Sequence, residues 1–152
     1  MRRKEKEIRQ RAEIDAVIKK STVCRLAMAE GNLPYVVPLC FGYSDNTLYF
    51  HSAKEGRKLD IIRKNNLVCF EFDIDQEIIN KGKNACRWSM KYQSVIGYGK
   101  AFILEEPMSK RRGLEIIMRQ YAAGSFEYQD SKIDETVVIK VEIEQITGKQ
   151  SE

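Results

Sequence analysis

The stretch Tyr49-Phe50-His51-Ser52-Ala53-Lys54-Glu55-Gly56-Arg57-Lys58-Leu59-Asp60-Ile61-Ile62 changes its hydrophobic period halfway along. The first part reads as an apolar strand and the last part as a helix. Ser52 and Gly56 separate the two, and the helix opens on two cations. Cations at a helix N-terminus oppose the helix dipole, by roughly a few tenths of a kcal/mol. The same place is a natural anion site, because its free backbone N–H groups point outward. Arg57 and Lys58 would suit a bound phosphate there, and His51, the one histidine of the chain, ends the strand leading in. These residues point to a phosphate-bearing cofactor. The alternative reading is a solvated loop whose cations are offset by Glu55 and Asp60.

Upstream, residues 6–20 read as a helix with Ile8, Ile14, Val17 and Ile18 as a partial apolar stripe. Val23 to Ala29 and Tyr35 to Tyr43 alternate as strands around a tight turn at Glu30-Gly31-Asn32. Pro38 cannot donate to a ladder, so its strand is an edge or carries a bulge. Ser44-Asp45-Asn46 turns the chain into the strand Thr47 to His51. Downstream, Gly56 to Lys64 is a short helix burying Leu59, Ile61 and Ile62, and Leu67 to Asp73 is a strand. Residues 74–91 read as polar loop, with a tip at Lys81-Gly82-Lys83-Asn84. Gln93 to Leu104 is a long strand interrupted by Gly97 and Gly99, a sign of a bend or close backbone approach. Pro107 opens a helix with Leu114, Ile117, Met118 and Tyr121 on one stripe, and Thr136 to Gln145 is the most regular strand. Hairpins dominate and no βαβ repeat appears. The expected fold is therefore mainly β with flanking helices, an antiparallel sheet or barrel in one domain over 1–152.

The chain of 152 residues is 43% hydrophobic and 32% charged, as in an ordinary globular domain. Residues 1–20 hold eight cations, Arg2 among them, and four anions, and so carry the whole net charge of +4. A basic terminal helix can touch nucleic acid or membrane. Interleaved Glu and Asp favour a solvated face instead, so neither partner is expected. Cys24, Cys40, Cys69 and Cys86 have no zinc-ligand spacing, and the first three sit in strand patterns as small hydrophobes. With no signal peptide and no membrane-length apolar run, a cytoplasmic location with reduced thiols is expected.

Three motifs together carry a resemblance: Pro34-Tyr35-Val36-Val37-Pro38-Leu39, then Leu48-Tyr49-Phe50-His51-Ser52-Ala53 with Gly56-Arg57-Lys58, then Tyr92-Gln93-Ser94-Val95-Ile96-Gly97-Tyr98-Gly99. From about Arg11 to Lys149 the chain resembles the flavin-binding split barrels related to pyridoxamine 5'-phosphate oxidase, nearest to the nitroimidazole-resistance branch. The resemblance implies a six-stranded split β-barrel, a homodimer, and FMN in clefts at the subunit interface. It implies that the backbone of Val37, Pro38 and Leu39 lies along the flavin ring. His51 and Ser52 would lie near ring and ribityl chain, Lys58 and Arg57 at the phosphate, and Ser94 and Val95 would approach from the other subunit. Trp88 and Tyr92 read as core or dimer contacts, and Lys149 resembles a recurring tail of the family. The Arg-rich end that grips substrate phosphate in true pyridoxamine phosphate oxidases is missing from Gly148-Lys149-Gln150-Ser151-Glu152. No Gly-rich dinucleotide fingerprint occurs, so NAD(P)H would bind transiently over the flavin. The implied function is an FMN-dependent oxidoreductase, with nitro compounds as possible substrates and His51 as the one side chain that changes charge near neutral pH. The alternatives are a flavin-binding protein without turnover and a haem-binding relative using His51 as axial ligand.

Overall fold

A computed structural model describes residues 3–151. Among them, eight strands and four α-helices follow in the order β1 (Glu7–Ile8), α1 (Arg11–Lys20), β2 (Cys24–Glu30), β3 (Leu33–Leu39), β4 (Gly42–Ser44), β5 (Thr47–Ala53), α2 (Arg57–Lys64), β6 (Leu67–Ile79), β7 (Ser89–Leu104), α3 (Pro107–Tyr121), α4 (Asp130–Asp134) and β8 (Thr136–Ser151). Two-residue turns close the early hairpins. Gly31 turns β2 into β3 at φ 59°, and Asp45 and Asn46 join β4 to β5 at φ 49° and 58°. Positive φ at both central residues is the signature of the type I′ turn, and Asp and Asn tolerate it.

All pairings are antiparallel, and the sheet runs β3-β2-β6-β7-β8-β5-β4, with β1 added to β8. The six long strands are the expected ones, and β3 and β4 leave the sheet open between them. Pro38 stands on edge strand β3, opposite Arg25, where its missing N–H costs no ladder bond. The strand expected to continue to Tyr43 breaks after Leu39, and Phe41 leaves the ladder to bury its ring 4.8 Å from Phe72. The Phe41 N–H donates to the Tyr121 hydroxyl at 2.8 Å instead of to a strand. Leu26, Phe50, Phe70, Phe72 and Ile139 are fully buried in one core, beneath α1 and α2.

Three expectations need correction. The helix expected from residue 6 starts at Arg11, because Glu7 and Ile8 pair with Lys149 and Gly148; residues 1 and 2 lie outside the described ones. The expected loop 74–91 is mostly hairpin: β6 runs to Ile79 and β7 starts at Ser89. Asp75 and Gln76 oppose Tyr92 in a bulge, with Asp75 at φ 57°, and this breaks the alternation that marks a strand. Finally, β8 continues past Gln145 to Ser151 along β7, across a register shift at Tyr98 and Gly99. Gly97 is the close approach its position suggested: a Cβ there would collide with the Phe70 ring and stand 2.7 Å from the Gln145 carbonyl oxygen.

Several of the N-terminal cations are neutralised locally. Arg11 pairs with Asp15 at 2.9 Å and Lys20 with Asp75 at 2.6 Å. No described helix is long and apolar enough to cross a membrane.

Candidate functional site

The start of α2 is an end without a cap. Gly56 precedes it at φ 135°, a conformation that L residues rarely adopt, and no side chain hydrogen-bonds to the first-turn N–H groups. Arg57 lies exposed over the Tyr35 ring, 4.8 Å from its centroid. Lys58 is half-buried and meets no carboxylate among the described residues. Burial holds its ammonium pKa below the ordinary lysine value. The solvated-loop reading required Glu55 and Asp60 to offset these cations. Asp60 instead faces Arg63 at 3.4 Å, and Glu55 forms no ion pair among the described residues. An uncapped helix end beside a partly desolvated, unneutralised lysine suits a phosphate group.

The other residues singled out from the sequence divide between two faces. On β5, Leu48, Phe50 and Ser52 are buried, whereas His51 is exposed on the opposite side of the strand. On β3, Val37 and Leu39 are half-buried against the core, and Pro38 is exposed on the outer face. The outer edge of β3 has no strand partner among the described residues, so its backbone groups are available to a ligand. The Arg57–Tyr35 contact joins this strand to the start of α2. Ser94 is half-buried on β7, opposite Asp73 and Lys149, while Val95 is fully buried in the chain's own core. Any contact of Val95 with a ligand outside the core is therefore through its backbone. Trp88 is not a core residue: it is 48% exposed, and its indole N–H donates to the Gly82 carbonyl at 2.7 Å. Tyr92 is half-buried beneath Lys149, whose ammonium stands 5.5 Å from the ring centroid.

His51 lines a cavity of about 660 Å³ walled by α3, α4 and the segment between them. Leu114, Ile117, Met118 and Tyr121, read from the sequence as one helical stripe, all line this cavity, and Ile117 is also buried. Cys40 also lines it and is exposed, not a buried small hydrophobe as its pattern suggested. By contrast Cys24 is buried, and desolvation pushes its thiol pKa up. The hydroxyl oxygen of Tyr128, another lining residue, is buried without a hydrogen-bond partner among the described residues. Such a group costs about 1–3 kcal/mol until something satisfies it. Tyr121 donates its hydroxyl to the Thr22 carbonyl at 3.0 Å, and burial raises its pKa to about 12.

Sequence reasoning missed α4 and Tyr128. The segment 122–135 is polar, and its five-residue helix depends on a contact distant in the chain. The Lys110 ammonium, 3% exposed, donates to the carbonyls of Ile133 at 2.6 Å and Thr136 at 2.9 Å and so closes the end of α4.

An open antiparallel sheet of six long strands with flanking helices defines a split-barrel protein. The profile of the pyridoxamine 5'-phosphate oxidase family matches residues 10–150, and the chain belongs to that family. No curated protein matches the chain. Among solved structures, it is similar to a protein of Bacteroides thetaiotaomicron VPI-5482 provisionally assigned as a 5-nitroimidazole antibiotic resistance protein. The identity is 34%, the match covers 95% of this chain and 86% of the other, and the TM-score is 0.85. A FAD-binding protein of Mesorhizobium loti is 24% identical, with 95% and 96% covered and a TM-score of 0.69. A flavocytochrome of Azotobacter vinelandii is 16% identical, with 100% and 72% covered and a TM-score of 0.86. These last two likenesses are of fold.

Proposed function

We propose that the protein is an FMN-dependent oxidoreductase that works as a cytoplasmic homodimer. The observation that carries this reading is Lys58, half-buried, without a carboxylate and beside the uncapped start of α2. Lys58 and the first N–H groups of α2 would hold the phosphate, with Arg57 close by. The free edge of β3 at Val37, Pro38 and Leu39 would offer backbone groups to the ring edge. Ser52 lies shortly before Arg57 and Lys58 in sequence, and His51 faces the cavity, where substrate would enter. FMN, when bound, supplies the redox chemistry. The chain's part is to seat the phosphate, fix the ring and keep bulk water from the cavity. Ser94 and the Val95 backbone would serve the site of the second subunit. NAD(P)H would bind transiently as electron donor, and nitro compounds such as nitroimidazoles are the substrates we favour, in line with the likeness to the Bacteroides protein.

The absorbance spectrum of freshly purified protein tests the reading. Flavin bands that bleach on addition of NAD(P)H are expected. A Soret band would point to haem instead, and flavin bands indifferent to every donor would leave a carrier. Light scattering that returned a monomer with full flavin occupancy would exclude the intersubunit arrangement.

A further inference from the structure

A polar row crosses four strands on the outer face of the sheet, the side away from the buried Val95 and Gly148. Asp73 of β6, Ser94 of β7, Lys149 of β8 and Glu7 of β1 stand opposite one another in register. Directly opposed side chains share a face, with Cβ atoms about 4.5–5.5 Å apart. The side chain of Lys149 therefore starts within reach of whatever Ser94 meets. Both carboxylates of the row have other partners: Arg25 and Gln76 hold Asp73, and Glu7 faces Arg9 at 3.9 Å. Lys149 pairs with no carboxylate among the described residues. Its half-buried ammonium lies over the Tyr92 ring instead, 5.5 Å from the centroid. The backbone beneath it is pinned. β8 is paired there on both edges, by β7 and β1, and a Cβ on Gly148 would stand 2.8 Å from Ile8 and 2.9 Å from Ile14. A second ammonium, that of Lys6, donates to the Ser151 hydroxyl at 2.6 Å, across from Tyr92, and it too meets no carboxylate among the described residues. Uncompensated positive charge thus gathers around Tyr92 and Ser94.

We propose that Lys149 tunes the flavin of the second subunit: it sets a fixed positive charge beside the ring and so favours the reduced form. The inference rests on the flavin reading above, which gives Ser94 to the neighbouring site, and Lys149 is the cross-strand neighbour of Ser94. Reduction adds electrons to the ring, and the reduced ring carries negative charge near neutral pH. A cation nearby stabilises that state more than the uncharged oxidised ring. The Tyr92 ring holds the ammonium in place without neutralising it, whereas a carboxylate partner would cancel most of its field. The two lysines then have separate tasks. Lys58 anchors the phosphate in both redox states, and Lys149 discriminates between those states.

Potentiometric titration of the FMN-loaded full-length protein tests it. Lys149→Gln should lower the flavin potential, because reduced FMN loses about tenfold or more in binding relative to oxidised FMN, the range for contact with a charged group. Tenfold is about 30 mV for a two-electron couple. Lys149→Arg, which keeps the charge, should stay near the wild-type potential. Oxidised FMN should bind the Gln variant almost as tightly as the wild type. If Lys149→Gln fails to fold, Lys149→Met takes its place, since its apolar stem still covers Tyr92. A potential unchanged in the neutral variant, or lowered as much by Lys149→Arg, would overturn the proposal. So would a loss of FMN affinity equal in both redox states and absent for riboflavin, which would put the ammonium at the phosphate. Thermal melts of the same variants separate a structural role, in which stability falls while the potential stays, and that result also overturns it. A protein that takes up no flavin even from added FMN would overturn the flavin reading together with this inference. Flavin bound at an unchanged potential counts against this inference alone.

Discussion

The Arg57 guanidinium lies over the Tyr35 ring, 4.8 Å from its centroid, and ties the start of α2 to the edge strand β3. Two motifs more than twenty residues apart thereby form one margin of the candidate site. The contact also separates the roles of the two cations. Arg57 already has a partner face, worth about 0.5–1 kcal/mol at an exposed site. Lys58 has none, and its depressed pKa records the burial without compensation.

Lys110→Met should destabilise the protein and loosen α4. The substitution preserves the stem but orphans the carbonyls of Ile133 and Thr136. Unsatisfied buried acceptors of this kind cost about 1–3 kcal/mol. Denaturant unfolding gives the loss, and hydrogen exchange of residues 130–136 should rise more than exchange in β7.

Gly97→Ala should cost about 1–3 kcal/mol, the penalty of overpacking a filled core. The added methyl would press on the Phe70 ring and on the Gln145 carbonyl at 2.7 Å. Pairing it with Phe70→Leu, which makes room, should recover part of the loss; strict additivity in thermal melts would mean that the two groups do not collide.

Glu106→Gln should flatten the acid limb of the stability curve. The Glu106 carboxylate caps α3 by accepting the N–H groups of Met108 at 2.9 Å and Ser109 at 2.8 Å, and these bonds hold its pKa below the usual value. A lowered folded-state pKa means stability that is fully present above the unfolded value of about 4.3 and is lost as pH falls through the folded one. The melting temperatures of wild type and variant should therefore differ at neutral pH and converge in acid. A constant gap at all pH values would contradict the cap.

The sequence made the fold legible wherever alternation was local. β2, β5 and the first half of β8 could be read from their own residues, and Pro38 marked its edge strand correctly. Reading stopped where pairing partners are distant or the alternation is broken. The Asp75 bulge hid the β6–β7 hairpin, and β1 exists only because Gly148 and Lys149 are there to pair with it. At the site, charge chemistry singled out Arg57 and Lys58, but it could not show that Asp60 turns to Arg63 and leaves Lys58 alone. The cavity was unreadable because Leu114 and Met118 follow the same helical period as residues that are truly buried.

The central claim is that Lys58 seats the phosphate of a flavin nucleotide. Fluorescence titration of FMN and of riboflavin into wild type and Lys58→Ala tests it most directly. Loss of a charge-assisted hydrogen bond predicts that FMN weakens by about 1.5–3 kcal/mol in the variant while riboflavin, which has no phosphate, changes little. Equal losses for both ligands, or an FMN affinity untouched by the substitution, would contradict it.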